Sequence, residues 1–239
     1  MIVLLDIRAA EKIRASLERC GFEVLSVPEN CRLDTAVSAH PDMRLFALGN
    51  KIFISREEKD ELSQITDRLE AFGYETVFCS VSISAKYPAD IAFNCFSVGK
   101  YLFGNLPCLA PEILKYAEAE DYTPICVKQG YSKCSTLIVD KNSIITADHS
   151  IYSAATKVGI DVLLISNPEG SIKLQGYSCG FIGGASGEFD DKIYFCGDIS
   201  KHPDAEAITA FCKNKNKALL SLSDEELYDL GSLLFFKKI

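Results

Sequence analysis

The chain contains no tryptophan, two methionines and three histidines among 239 residues. No two of its ten cysteines stand in C-x-x-C spacing, which removes the usual zinc, iron–sulfur and thioredoxin-like patterns. No run of five like charges occurs, and the formal net charge is −8. A grip on nucleic acid needs clustered Lys and Arg against phosphates, so nucleic acid is not an expected partner. No Lys/Arg-rich amphipathic face points to a membrane surface either. The longest apolar runs, such as Ala218–Leu222 and Leu233–Phe236, are strand-sized and far short of a membrane span. Met1–Asp6 reaches an acid at its sixth residue, without the basic start and long apolar stretch of a signal peptide. The expectation is a cytoplasmic protein with reduced thiols. No cofactor or metal site is implied.

What is present is an ordinary globular composition, 48% hydrophobic and 24% charged, with enough apolar surface for one sizeable core. Most cysteines sit in apolar runs, as in Val77–Cys79, Pro124–Cys126 and Tyr194–Cys196, where they are expected to act as small buried hydrophobes.

An internal repeat organises the rest. Short strands begin at Lys51, Lys100 and Lys192, and Asn142–Thr146 has the same shape without the lysine. Each follows a turn (Gly49-Asn50, Gly99, Asp140–Asn142, Asp190-Asp191) and, before it, another apolar strand. That is the pattern of a β-hairpin. The preceding strands are expected at Arg44–Leu48, Ile91–Phe96, Thr136–Val139 and Gly180–Gly184. A helical stretch follows each hairpin; Leu62, Ile65, Leu69 and Phe72 recur at three- and four-residue spacing. Closing strands are expected at Gly73–Phe78, Asp121–Cys126, Gly159–Ile165 and Lys217–Leu222.

The termini supply a fifth copy. Leu230–Phe236 is a first strand lacking a second, and Ile2–Asp6 is a second strand lacking a first, followed by helix Ala9–Arg19 and strand Gly21–Leu25. The expected fold is therefore a single α/β domain over residues 1–239. It is a five-fold pseudosymmetric ββαβ propeller with helices outside, its fifth unit closed by the N- and C-termini. The units span about 230–239 plus 1–30, 42–82, 90–128, 134–167 and 178–224. Asp6, Asp148 and Asp198 follow second strands and read as helix N-caps. His202-Pro203-Asp204 reads as a helix start.

A fivefold ββαβ array closed by its own termini resembles the pentein fold of the guanidino-group-modifying enzymes: arginine and agmatine deiminases, dimethylarginine hydrolases and amidinotransferases. The resemblance implies that residues at the starts of the first strands converge at one end of an axis. In catalytic members a cysteine there attacks the guanidinium carbon, a histidine acts as acid and base, and carboxylates clamp the cationic nitrogens. Paired carboxylates match the planar guanidinium fork, and the poor electrophile needs a thiolate with a positioned proton donor.

Set against that pattern, Gly231 or Ser232 stands where the cysteine is expected, and no cysteine follows Cys212. The third unit carries Tyr131 or Lys133 where histidine is expected. What remains near the axis is Asp42, Asp90 and Asp229, joined by Arg44, Asn94, Lys133, Cys95 and Cys134. Together with Gly183, Gly184 and Ser232 these form a candidate polar binding site. Gly180–Gly187 lacks a Walker lysine and a following helix, so its glycines mark backbone crowding or ligand approach rather than a phosphate loop.

Lys133 beside Cys134 would lower that thiol's pKa, making Cys134, with His40 assisting, the candidate catalytic pair. The expected function is a non-catalytic or chemically altered pentein holding a small cationic or zwitterionic guanidino or amino compound, or a protein, at the axial pocket. The alternatives are a cysteine-dependent hydrolase or transferase at a guanidino C–N bond, and a ribosome- or protein-interaction module.

Overall fold

The computed structural model describes residues 1–239 and contains five three-stranded sheets. In chain order, β1 (Ile2–Asp6) leads through α1 (Glu11–Arg19) to β2 (Glu23–Val27). A single turn, α2 (Pro41–Arg44), introduces β3 (Leu45–Leu48), β4 (Lys51–Ser55), α3 (Ser63–Glu70) and β5 (Glu75–Cys79). Next come β6 (Phe96–Val98), β7 (Tyr101–Gly104), α4 (Pro111–Ala119) and β8 (Thr123–Cys126). They are followed by β9 (Thr136–Asp140), β10 (Ser143–Thr146), α5 (His149–Lys157) and β11 (Asp161–Leu164). The last full copy is β12 (Ser186–Phe189), β13 (Lys192–Phe195), α6 (Ala205–Asn214) and β14 (Ala218–Ser221). β15 (Leu234–Phe236) ends the chain's strands.

Every sheet has the same plan. The first strand pairs antiparallel with the second, and the second pairs parallel with the third across a helix. The split copy obeys it too: β15 pairs with β1 in the register Ile2 to Phe236, and β1 pairs with β2. Middle strands are buried on both faces, as parallel strands under crossover helices must be. Each of the five long helices buries a pair four residues apart: Ile13 and Leu17, Ile65 and Leu69, Ile113 and Ala117, Ile151 and Ala155, Ile208 and Cys212. Residues at that spacing share one helix face, and each large aliphatic among them contributes about 1.5–3 kcal/mol. Tyr74 meets Phe236 edge to face at 5.2 Å, and Ile239 donates its amide to Phe72, so the C-terminus is packed against the second copy.

Three first strands start later than the hydrophobic pattern indicates. Gly180–Gly184, Ile91–Cys95 and Leu230–Leu233 are buried but not extended strands. Their amides close turns or bond to neighbouring copies instead: Asn94 to Ile91, Ala185 to Phe181, Gly184 to Cys134, Ser232 to Gly184. These stretches are apolar because they are buried, and their backbone is satisfied outside the ladder. The helix beginning near His202 starts at Ala205, after a turn in which His202 Nδ1 accepts the Asp204 amide. No helix is long and apolar enough to cross a membrane.

Candidate functional site

The short lead-ins to the five first strands meet. Asp42 lies on α2, Asn94 precedes β6, Lys133 and Cys134 precede β9, Gly183 and Gly184 precede β12, and Ser232 precedes β15. Glycine is required where they crowd: a Cβ on Gly183 would overlap the carbonyl oxygens of Thr136 and Lys133, and one on Gly184 would overlap the Asp229 carboxylate.

The polar side chains form one knot. Ser232 Oγ donates to Asp42 Oδ2 at 2.6 Å, and Lys133 Nζ donates to Ser232 Oγ at 2.8 Å. Cys134 Sγ donates to the same Asp42 oxygen at 3.1 Å. Asn94 ties the set together, donating to the Asp42 carbonyl and Cys134 Sγ while accepting the Lys133 amide at 2.8 Å. Asp42, Asn94, Cys134 and Ser232 are all buried. One group is left over: Asp42 Oδ1 has no hydrogen-bond partner, a costly state for a buried carboxylate oxygen. Ser232 sits at φ +70°, the left-handed region unusual for a side chain.

Above this floor lies a cavity of about 200 Å³. All five first strands line it, through residues such as Leu45, Ala47, Ser97, Leu137, Glu188 and Leu234, and Asp42, Lys133 and Cys95 reach it from the lead-ins. Ala47, Ser97, Ile138, Glu188 and Leu234 keep partial exposure, so the space opens along the strands. Glu188 accepts from Lys217 at 2.6 Å, and burial raises its pKa against that contact.

The expected activation of Cys134 is reversed. Burial first, then the charges of Asp42 and Asp229, push its thiol well above the ordinary value; Cys95 is raised by burial alone. Both are held as thiols, because a thiolate would have to be buried away from water, and at Cys134 beside carboxylates as well. Lys133 is lowered by burial, with Asp42 opposing.

His40 does not join either cysteine. Its ring stands between two carboxylates, Nδ1 3.8 Å from Asp229 and Nε2 3.9 Å from Asp6, and neither nitrogen makes a hydrogen bond. Gly231, at φ +68°, packs where any Cβ would strike His40. Asp229 is raised by burial, His40 opposing, and it accepts the amides of Phe181 and Gly231. Asp6 is no helix cap: it accepts from Arg8 Nε at 2.9 Å and from a second Arg8 nitrogen at 2.6 Å. Asp148 and Asp198 do cap, accepting first-turn amides. The difference was visible two residues on, where Asp148 and Asp198 are followed by serine and Asp6 by Arg8.

Two other expected members turn elsewhere. Arg44 is fully buried but points away from the cavity, donating to Glu58, Glu61 and the Pro28 carbonyl. Asp90 accepts from the Tyr131 hydroxyl at 2.6 Å and does not line the cavity.

The chain belongs to a family of unknown function, DUF6873, which it matches over residues 4–234. No curated protein matches it. Its fold is that of the pentein guanidino-modifying enzymes. It is similar to SxtG, an amidinotransferase from Microseira wollei in the saxitoxin biosynthetic pathway, at 12% identity and TM-score 0.63 over 95% of this chain and 78% of that one. Similarity extends to the DDAH of Pseudomonas aeruginosa complexed with citrulline, at 10% identity and TM-score 0.57 over 93% and 91%. An agmatine deiminase of C. jejuni gives 12% and 0.53 over 93% and 86%. At such identities the likeness describes the fold alone.

Proposed function

We propose that the five sheets close into a propeller whose axis is the central cavity, and that this cavity holds a small cationic or zwitterionic compound without cysteine chemistry. The observation that carries the reading is Asp42 Oδ1, a buried carboxylate oxygen with no partner in a residue that lines the cavity. An ammonium or guanidinium group of a ligand would satisfy it with a charge-assisted hydrogen bond. Lys133 Nζ has donors to spare beyond its bond to Ser232, enough for a carboxylate or carbonyl on the same ligand. The apolar walls at Leu45, Phe93, Leu137 and Leu234 suit a short aliphatic body.

The cysteine route is disfavoured on three counts. The position expected to carry the nucleophile holds Gly231 or Ser232, Cys134 is kept protonated beside Asp42, and His40 makes no hydrogen bond with any thiol. Calorimetric titration with simple amines, guanidino compounds and amino acids, alongside an assay for guanidino C–N cleavage, tests the reading. Binding without cleavage is the expected result. Cleavage abolished by Cys134→Ala would overturn the non-catalytic reading, and no binding by any of the three classes would overturn the ligand.

A further inference from the structure

Lys133 is the only amine among the side chains lining the central cavity. Its ammonium has no carboxylate within salt-bridge distance: Lys133 takes part in none of the molecule's close ion pairs, and its hydrogen bond goes to a hydroxyl. Lys133 is half-buried, and a lysine drawn into an apolar pocket is usually paired. Lys133 has instead one hydroxyl partner, Ser232 Oγ at 2.8 Å, and apolar neighbours on the cavity side.

We propose that Lys133 is an imine-forming nucleophile, and that the cavity admits an aldehyde or ketone whose carbonyl carbon condenses with Nζ. The neutral amine adds its lone pair to the carbonyl carbon, and one of its two N–H protons passes to the oxygen to give a neutral carbinolamine. The second N–H proton passes to the hydroxyl as the C–O bond breaks, so the C=N bond forms and the oxygen departs as water. One water is released for each imine, and no electron donor or acceptor is needed. Ser232 Oγ touches both Lys133 Nζ and Asp42 Oδ2, so it positions a path by which the proton leaves the amine for the Asp42 carboxylate and returns to the departing oxygen. Burial, which lowers the amine's pKa, keeps more of it neutral near pH 7 than an exposed lysine allows.

The proposal rests on the amine and the cavity, not on the ligand contact of Asp42. Its test is reductive trapping: the intact chain is incubated with propanal and cyanoborohydride at pH 7, then mapped by peptide mass spectrometry. A lowered pKa enlarges the neutral fraction of an amine, so early labelling at Lys133 should exceed that at any exposed lysine. Ser232→Ala should slow labelling at Lys133 while leaving the exposed lysines unchanged. Labelling spread over exposed lysines with Lys133 unmodified in the folded wild-type chain overturns the proposal. Trapping at Lys133 without calorimetric binding of amines would sink the ligand reading alone, and amine binding without trapping would sink this one alone.

Discussion

The four hairpins and the five lead-ins are the two ends of the first strands, and they obey opposite rules. At three of the hairpins the copies are interchangeable, and only the β9–β10 turn differs, with a register shift at Ser143. Gly49, Gly99 and Asp190 all turn at φ +57°, and the same antiparallel pairing follows each. At the lead-ins no two copies agree: an aspartate, an asparagine, a lysine–cysteine pair, two glycines and a serine meet there. Repetition builds the scaffold, because each sheet must solve the same backbone problem. Departure from repetition builds the site, because a polar knot needs donors and acceptors of different kinds at one point. The lead-ins should therefore tolerate change far less than the hairpins.

The largest expected effect is at Gly183. A methyl there meets two carbonyl oxygens of the neighbouring lead-in, backbone atoms that cannot rotate away, so Gly183→Ala should cost about 3 kcal/mol or more. Urea unfolding measures it; a loss under 1 kcal/mol would mean the lead-ins yield as readily as the hairpins.

Next in size is an alkaline loss of stability carried by the buried thiols, Cys95 and Cys134 at the site together with Cys79, Cys196 and Cys212 elsewhere. Their folded pKa values lie above the ordinary 9.0, so the folded state keeps protons that the unfolded chain releases. Their stabilisation is whole below pH 9 and declines above it, by about 1.4 kcal/mol per thiol per pH unit. Lys133, lowered from 10.5, works in the other direction, adding stability as pH rises towards 10.5. The decline should become shallower, without vanishing, in a Cys95→Ala, Cys134→Ala double variant, followed by chemical unfolding from pH 8 to 10, because Cys79, Cys196 and Cys212 remain.

Ser232→Ala removes the hydroxyl between Lys133 and Asp42 and should cost about 1–3 kcal/mol. Gly99→Ala, at a hairpin, adds the left-handed backbone penalty of about 1–2 kcal/mol and a 3.1 Å approach to the Lys141 carbonyl, looser than the overlap at Gly183. If thermal melts rank Gly99→Ala above Gly183→Ala, the contrast between the two ends fails.

The same contrast decides what was legible in the sequence. Strands such as Lys51–Ser55, the helix faces and the β15–β1 pairing all follow from repeated patterns, and the structure reproduces them. Where the repeat lapses, reading by equivalence misled. Gly180–Gly184 looks like a strand because it is apolar, yet its amides serve turns and a neighbouring copy. Asp6 looks like Asp148, yet Arg8 claims its carboxylate. Asp42, Asn94, Lys133 and Ser232 were identifiable as residues near one end. That Ser232 would join Lys133 to Asp42 was not, because it depends on side chains 99 and 190 residues apart in the chain. Arg44 was misplaced for the converse reason: it lies at a strand start, but its guanidinium finds Glu58 and Glu61 on the outer side.

The central claim is that the unpartnered oxygen of Asp42 is where a ligand's cation lands. Calorimetric titration of one amine that binds the wild-type chain, repeated on Asp42→Asn with its fold checked by circular dichroism, tests it most directly. The account predicts a loss of affinity of about tenfold or more, the scale of a charge-assisted hydrogen bond. Equal affinity in the two proteins would contradict it.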